Sequence, residues 1–227
     1  MIVSYLGRSG NIGDIVLDLD ELQDKGIMIV EGVSSVEELV DLAESLGNIL
    51  LHPNGERVAK LKANCGSNSL HGTFSKNYGF EAFPFHTDTA FWGLPVRFVV
   101  MGMFGSSKST TNYVTFNDIQ KVVSFNFFEM ANRSIYLIET FEGAKYTSPV
   151  FHSDENYGYR FDPNIMSPVN RDAKIFHEEM LLAIDKIEPR KVSWSGNKAV
   201  ILDNWQYLHN RSAVNEESRE ILRLYIE

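Results

Sequence analysis

Runs of strand-forming residues crowd this chain without a regular helix between each pair, and that spacing constrains the fold more than any other feature. The apolar run "GIMIVEGV" (26–33) is bounded by glycines and reads as a strand. So do "RFVVMGMF" (97–104), "TTNYVTF" (110–116) and "SIYLIETF" (134–141), which are rich in β-branched and aromatic residues. "RKVSWSGNKAVILDNW" (190–205) reads as two strands around a Ser195-Gly196-Asn197 turn, and "EILRLYIE" closes the chain as a last strand. "ERVAKLKAN" (56–64) suits a strand or a short helix.

Three stretches carry helical spacing. In "SSVEELVDLAESLG" (34–47), Ser34 or Ser35 caps the start and Gly47 the end, with Val36, Leu39, Val40, Leu42 and Leu46 on the core face. "DIQKVVSFNFFEMAN" (118–132) reads as one helix. "NRDAKIFHEEMLLAIDKI" (170–187) is amphipathic, with Ile175, Met180, Leu181, Ala183 and Ile184 as candidate core positions. Parallel sheets need a crossover of a dozen or more residues between strands, and these strands cluster instead. The pattern excludes a doubly wound parallel sheet and points to a mostly β sandwich or barrel with flanking helices, an α+β arrangement.

Charge and cysteine content narrow the function. Lys plus Arg number 21 and Asp plus Glu 30, a net charge of −9, so an acidic surface argues against nucleic-acid binding. The single cysteine, Cys65, forbids an internal disulfide and reads as a small buried hydrophobe in a reducing, cytoplasmic setting. The opening "MIVSYLGRSGNIGD" does not read as a signal peptide, and no stretch approaches the ~20 apolar residues that cross a bilayer.

Within "FPFHTDTAFWG" (83–93), His86 and Asp88 stand two residues apart. At the end of a strand they project from one face, because side chains alternate. An imidazole and a carboxylate there suit a wet strand end, or two-thirds of a 2-His-1-carboxylate metal site. The second reading needs a distant histidine. His177 falls inside a helix and His52 beside Pro53 in a loop, whereas His209 follows the strand "AVILDNW" by a few residues, where a sheet would hold it rigidly. His71 and His152 complete the set.

These residues carry a resemblance. "PFHTD", then "GNKAVILDNWQYLHNRSAV" and "REILRLYI", with "GYRFDPNIMSPVN" between them, resemble the taurine dioxygenase and clavaminate synthase group of Fe(II)/2-oxoglutarate-dependent oxygenases. The group's pattern is His-x-Asp, a hairpin with Gly, a strand ending Asp-Asn, a distal His, and two Arg four apart. Here these are His86 and Asp88, Gly196, Asp203-Asn204, His209, and Arg219 with Arg223. The resemblance implies one double-stranded β-helix (jelly-roll, cupin-like) domain over residues 1–227, with the early strand and helix packed on it. It implies that His86, Asp88 and His209 bind Fe(II) and that Arg219 pairs with the distal carboxylate of 2-oxoglutarate. A planar guanidinium fork suits that task.

The remaining site residues follow from the same comparison. Arg223 would hold an anionic group of the substrate. Of Thr110, Thr111 and Thr115, Thr111 is favoured as a cosubstrate contact, although "SKSTT" stands where the family has a Gly-Gly-acid-Thr turn. Phe91 and Trp92 would contact substrate or pack in the core, and His71 and Lys76 fall in a Gly/Ser/Asn-rich loop at 65–82. The implied reaction is hydroxylation of a small anionic or amino-acid-like metabolite, using 2-oxoglutarate and dioxygen and releasing succinate and carbon dioxide. Desaturation or ring closure, and a cupin-like sensor without turnover, are the alternatives. The expected partners are small molecules and further copies of the chain, not nucleic acid or membrane.

Overall fold

In the computed structural model, the described residues are 11–12, 15–16, 22, 24–63, 77–140, 143–154, 156–216 and 219–227. Cys65, His71 and Lys76 lie outside them. The first elements are β1 (Asn11–Ile12), β2 (Ile15–Val16), β3 (Ile27–Glu31), α1 (Val36–Leu46), β4 (Ile49–Leu50) and β5 (Ala59–Lys62). Next come β6 (Phe98–Phe104), β7 (Thr110–Thr115), α2 (Phe116–Val122), α3 (Phe127–Arg133), β8 (Tyr136–Thr140) and β9 (Gly143–Thr147). Then follow β10 (Val150–Ser153), β11 (Asn156–Tyr159), β12 (Met166–Pro168) and α4 (Arg171–Lys186). The chain closes with β13 (Arg190–Ser193), β14 (Asn197–Asp203), β15 (Tyr207–Arg211) and β16 (Glu220–Ile226).

Two antiparallel sheets form the centre. The larger runs β3-β14-β6-β16-β4, with β5 also on β16; the smaller runs β13-β7-β15. Consecutive strands switch sheets: β6 is in the larger and β7 in the smaller, then β13 smaller, β14 larger, β15 smaller and β16 larger. That alternation is the double-stranded β-helix. It also corrects the reading of residues 190–205. β13 and β14 do not pair as a hairpin; Gly196 (φ 76°) turns the chain from one sheet to the other. β14 is buried along nearly its whole length and pairs within the larger sheet, while the exposed β13 keeps only Val192 inward and pairs with β7.

Side-chain alternation divides the core. Val100, Ala199, Ile201, Leu222 and Leu224 face α1, while Val99, Met101, Val200, Leu202, Ile221 and Tyr225 face inward with Val192 and Trp194 from the β13 side. α1 buries Leu39, Leu42, Ala43 and Leu46, the i, i+3, i+4, i+7 stripe, and the Ser35 side chain accepts a hydrogen bond from Glu38 N. Each such leucine contributes about 1.5–3 kcal/mol of burial. Val36, placed on the core face by spacing, is 37% exposed at the edge of that stripe.

The helical stretch 118–132 divides into α2 and α3. Thr115 and Asn126 each cap a new start, and Val123 is extended (ψ 152°). Asn126 accepts from Glu129 N, a bond that competes with a continuous helix. α2, α3 and α4 cover the outer face of the smaller sheet through Phe116, Ile119, Phe127, Ala173, Phe176 and Met180. The face of α4 lies rotated from the expected one: Ile175 and Leu181 are exposed, while Ala173 and Phe176 are buried.

Candidate metal centre

The segment carrying His86 is laid against β15 by a single bridge rather than as a strand of its own. His86 N donates to His209 O and His209 N donates to His86 O, each at 3.0 Å. Phe83 N donates to Arg211 O at 2.9 Å and Thr87 N to Phe161 O at 2.8 Å, so the segment is fixed on both sides. His86 and His209 thus face each other directly, with ring centroids 4.6 Å apart.

Asp88 is brought in by the turn that follows. Asn204, buried in the β14–β15 turn, accepts from Asp88 N at 2.8 Å and donates to Asp88 O at 2.9 Å and Val96 O at 3.0 Å. Thr89 has φ 53°, strained for a β-branched residue. Its hydroxyl donates to Asp88 O and accepts from Val96 N, which holds the strained turn in place.

The result is a buried cluster in which one ligand atom each from His86, Asp88 and His209 lie within 4.8 Å of one another. His86 Nε2 is 3.9 Å from Asp88 Oδ1, and His209 Nε2 is 3.7 Å from Asp88 Oδ2. The His86 Nδ1–H donates to Pro84 O at 3.0 Å, which leaves the Nε2 lone pair aimed into the cluster. Asp88 Oδ2 is buried with no hydrogen-bond partner. Burial, then the neighbouring His86, keep His209 neutral by lowering its pKa to about 3. Burial works against ionising Asp88, but Arg223, His209 and His86 together hold its pKa below the usual carboxylate value. Two imidazoles and one carboxylate with an unsatisfied oxygen form a donor set that fits a divalent iron.

The three arginines downstream are buried differently. Arg223 Nη1 donates to Asp88 Oδ1 at 2.8 Å, and its Nε is buried without a partner. Arg219 is 4% exposed, and its Nε is buried without a hydrogen-bond partner. Burial and the neighbouring Arg211 lower the pKa of Arg219 to about 10. The charge of Glu216 opposes that shift, and its carboxylate accepts from Ser107 Oγ and Lys108 N. Arg211, two residues after His209 and on its face, holds Gly79 O and Glu81 O and lies over the Phe83 ring at 3.9 Å.

Among the three threonines, Thr111 is buried and accepts from Trp194 Nε1 at 3.0 Å; it pairs across the sheet with Arg211. Thr110 bonds Asn112 and Thr115 caps α2, so both hydroxyls are used locally. Phe91 is half-buried against the helical core, and Trp92 packs edge-on to Tyr225 at 6.0 Å.

No protein-family model matches the sequence, and no curated protein matches it. Solved structures do. An asparagine oxygenase in complex with Fe(II), 2S,3S-3-hydroxyasparagine and succinate superposes with a TM-score of 0.76 at 14% identity, covering 92% of this chain and 77% of that one. The fold is that of the Fe(II)/2-oxoglutarate-dependent oxygenases. PvcB of Pseudomonas aeruginosa, an Fe, alpha-ketoglutarate dependent oxygenase from an isonitrile synthetic pathway, matches with a TM-score of 0.68 at 16% identity over 92% of this chain and 78% of its own. The non-heme iron oxygenase OrfP, in complex with Fe, succinate and (3S)-hydroxy-L-Arg, gives 0.67 at 15% identity over 92% and 77%. At such identities the likeness is carried by this oxygenase fold.

Sequence reading missed four residues around the centre. His52 is not a free loop residue: it is 4% exposed, its Nε2 meets Arg223 O at 2.9 Å, and its ring stacks 4.1 Å from Tyr225. Tyr225 lies on the inward face of β16, where the parity of Arg219 and Arg223 already pointed. Arg211 was legible by the same parity from His209. Asp162, 5% exposed, has its pKa raised to about 6, chiefly by burial. No pattern in "YRFDPN" distinguishes it from a turn aspartate.

Proposed function

We propose that this chain is a non-haem Fe(II)- and 2-oxoglutarate-dependent oxygenase, one domain over residues 1–227, that hydroxylates a small amino-acid-like metabolite. The observation that carries the reading is the buried His86–Asp88–His209 cluster with its unsatisfied Asp88 Oδ2; the buried Arg219, whose Nε has no hydrogen-bond partner, supports it. Buried charges are costly unless paired, so a buried guanidinium with an unpartnered Nε suits an anionic occupant.

His86, Asp88 and His209 would hold Fe(II) on one side. Arg219, with the Thr111 hydroxyl, would grip the distal carboxylate of 2-oxoglutarate and so orient it. When bound, iron and cosubstrate supply the oxidation: one dioxygen atom leaves in succinate, carbon dioxide is lost, and the other atom becomes a substrate hydroxyl. The protein's part is to hold substrate in one orientation and exclude water. Burial of the centre serves the second task. Phe91 and Arg223 would hold the substrate. The amino-acid reading is supported by the hydroxyasparagine and hydroxyarginine bound in the two similar oxygenases, and by Asp162 and Arg223 as recognition groups of opposite charge.

The test is a screen of free amino acids and anionic metabolites for succinate release that requires Fe(II). At least one amino acid should raise release well above the substrate-free rate, and Arg219→Ala should abolish the response at ordinary 2-oxoglutarate concentration. Fe(II)-independent release, or a response equal in Arg219→Ala, would contradict the reading.

A further inference from the structure

Arg223 has a task inside the metal centre itself. The carboxylate of Asp88 is asymmetric: Oδ1 accepts from Arg223 Nη1 at 2.8 Å, whereas Oδ2 is buried, unpartnered and 3.7 Å from His209 Nε2. We infer that Arg223 is a positioning residue that ties down Asp88 Oδ1, so that Asp88 offers a metal one oxygen, Oδ2. This rests on the proposed metal reading and deepens it.

The geometry behind Arg223 is rigid. Its residue sits in β16 between β6 and β5, opposite Met101 on one side and Ala59 on the other. The Arg223 carbonyl meets His52 Nε2 at 2.9 Å, and its guanidinium lies 4.8 Å over the Tyr225 ring, which His52 covers from 4.1 Å. The arginine is therefore held at its backbone and along its side chain before it reaches Asp88. On the other side, Asn204 clamps the Asp88 main chain through both its N–H and its C=O. With backbone and Oδ1 both fixed, rotation of the carboxylate is stopped: Oδ2 faces His209 at 3.7 Å, while the Arg223-bound Oδ1 is the oxygen on the His86 side, 3.9 Å from its Nε2. A guanidinium that bound only substrate would have no need of this contact.

The groups that orient ligands typically matter to metal affinity by 10- to 100-fold. The experiment is a titration with Co(II) alone, without substrate or cosubstrate, read by the visible absorption of the bound ion and by the dissociation constant. The wild type should bind one Co(II). Arg223→Gln should bind about tenfold more weakly or worse and show an altered absorption envelope. Arg223→Lys, which restores a cation and a donor, should return both toward the wild type. Identical spectra and affinities in wild type and Arg223→Gln would overturn the inference. So would tighter binding by Arg223→Gln, which would mark Arg223 as a competitor of the metal. If the wild type bound no metal, the metal reading itself would fail, and this inference with it. Should Arg223→Gln not fold, infrared difference spectra of the wild type on metal binding decide. A carboxylate with widely split stretches, one oxygen on the metal, is expected; the narrow splitting of a two-oxygen ligand would overturn the inference.

Discussion

His209 shows what burial does to a single residue. Its imidazole is 7% exposed, and burial together with His86 lowers its pKa to about 3. In the unfolded chain an imidazole titrates near about 6.5, so the unfolded state takes the proton first as pH falls. The stability that neutral His209 contributes is therefore complete above about 6.5 and is lost as pH drops toward 3. Asp162 acts with the opposite sign: its raised pKa of about 6 means that its ionisation weakens folding as pH rises toward 6. The two trends overlap, so a variant must separate them. In metal-free protein, His209→Gln should lose less thermal stability than the wild type as pH falls from about 6.5 to 4.5, measured as Tm by calorimetry. Parallel Tm curves for the two proteins would count against a neutral, buried His209. The distinction between His209 and the other histidines was legible from its place after a strand. The burial of His52 was not, because a His-Pro loop gives no periodic signal.

Between elements, β6 and α1 meet closely at Gly102. A Cβ there would lie 2.6 Å from Leu39 Cδ2 and 2.8 Å from Leu39 Cδ1, and Leu39 is fully buried. Gly102→Ala must push Leu39 off its rotamer or lift α1 from the sheet. The expected cost is about 1–3 kcal/mol, measured by urea unfolding with unchanged m. A loss below about 0.5 kcal/mol, within the range of ordinary surface changes, would show that the helix adjusts freely. Strands such as Ile27–Glu31 and Phe98–Phe104 were legible because apolar residues ran together between breakers. Partners were not. Residues 190–205 read as a hairpin because the sequence shows a turn, whereas only the competition for two sheets decides that β13 and β14 part company. The division at 123–126 was hidden for a similar reason: Ser124 and Asn126 suit either a helix surface or a cap, and packing of Phe125 and Phe127 against Phe176 selects the second.

Over the whole molecule, an acidic chain buries several of its arginines. The net charge is −9, yet Arg211 and Arg219 are buried and Arg223 reaches the metal-ligand cluster through Asp88. Surface acidity is the bland part of the composition; the inward arginines are the part that asks for anions. The clustered strands and the His-x-Asp…His…Arg order made the β-helix and its centre legible from the sequence. The inward parity of β16 could place Arg219 and Arg223 on one face, but only the fold shows Arg223 reaching Asp88. The central claim is that Fe(II) and a keto diacid share this centre. Its most direct test is an anaerobic titration of the protein with Fe(II) and 2-oxoglutarate, followed by visible absorption. The account predicts a charge-transfer band that needs both components, saturates at one of each per chain, and is absent in His86→Ala. A protein that binds neither component, or that yields the same band without His86, would contradict it.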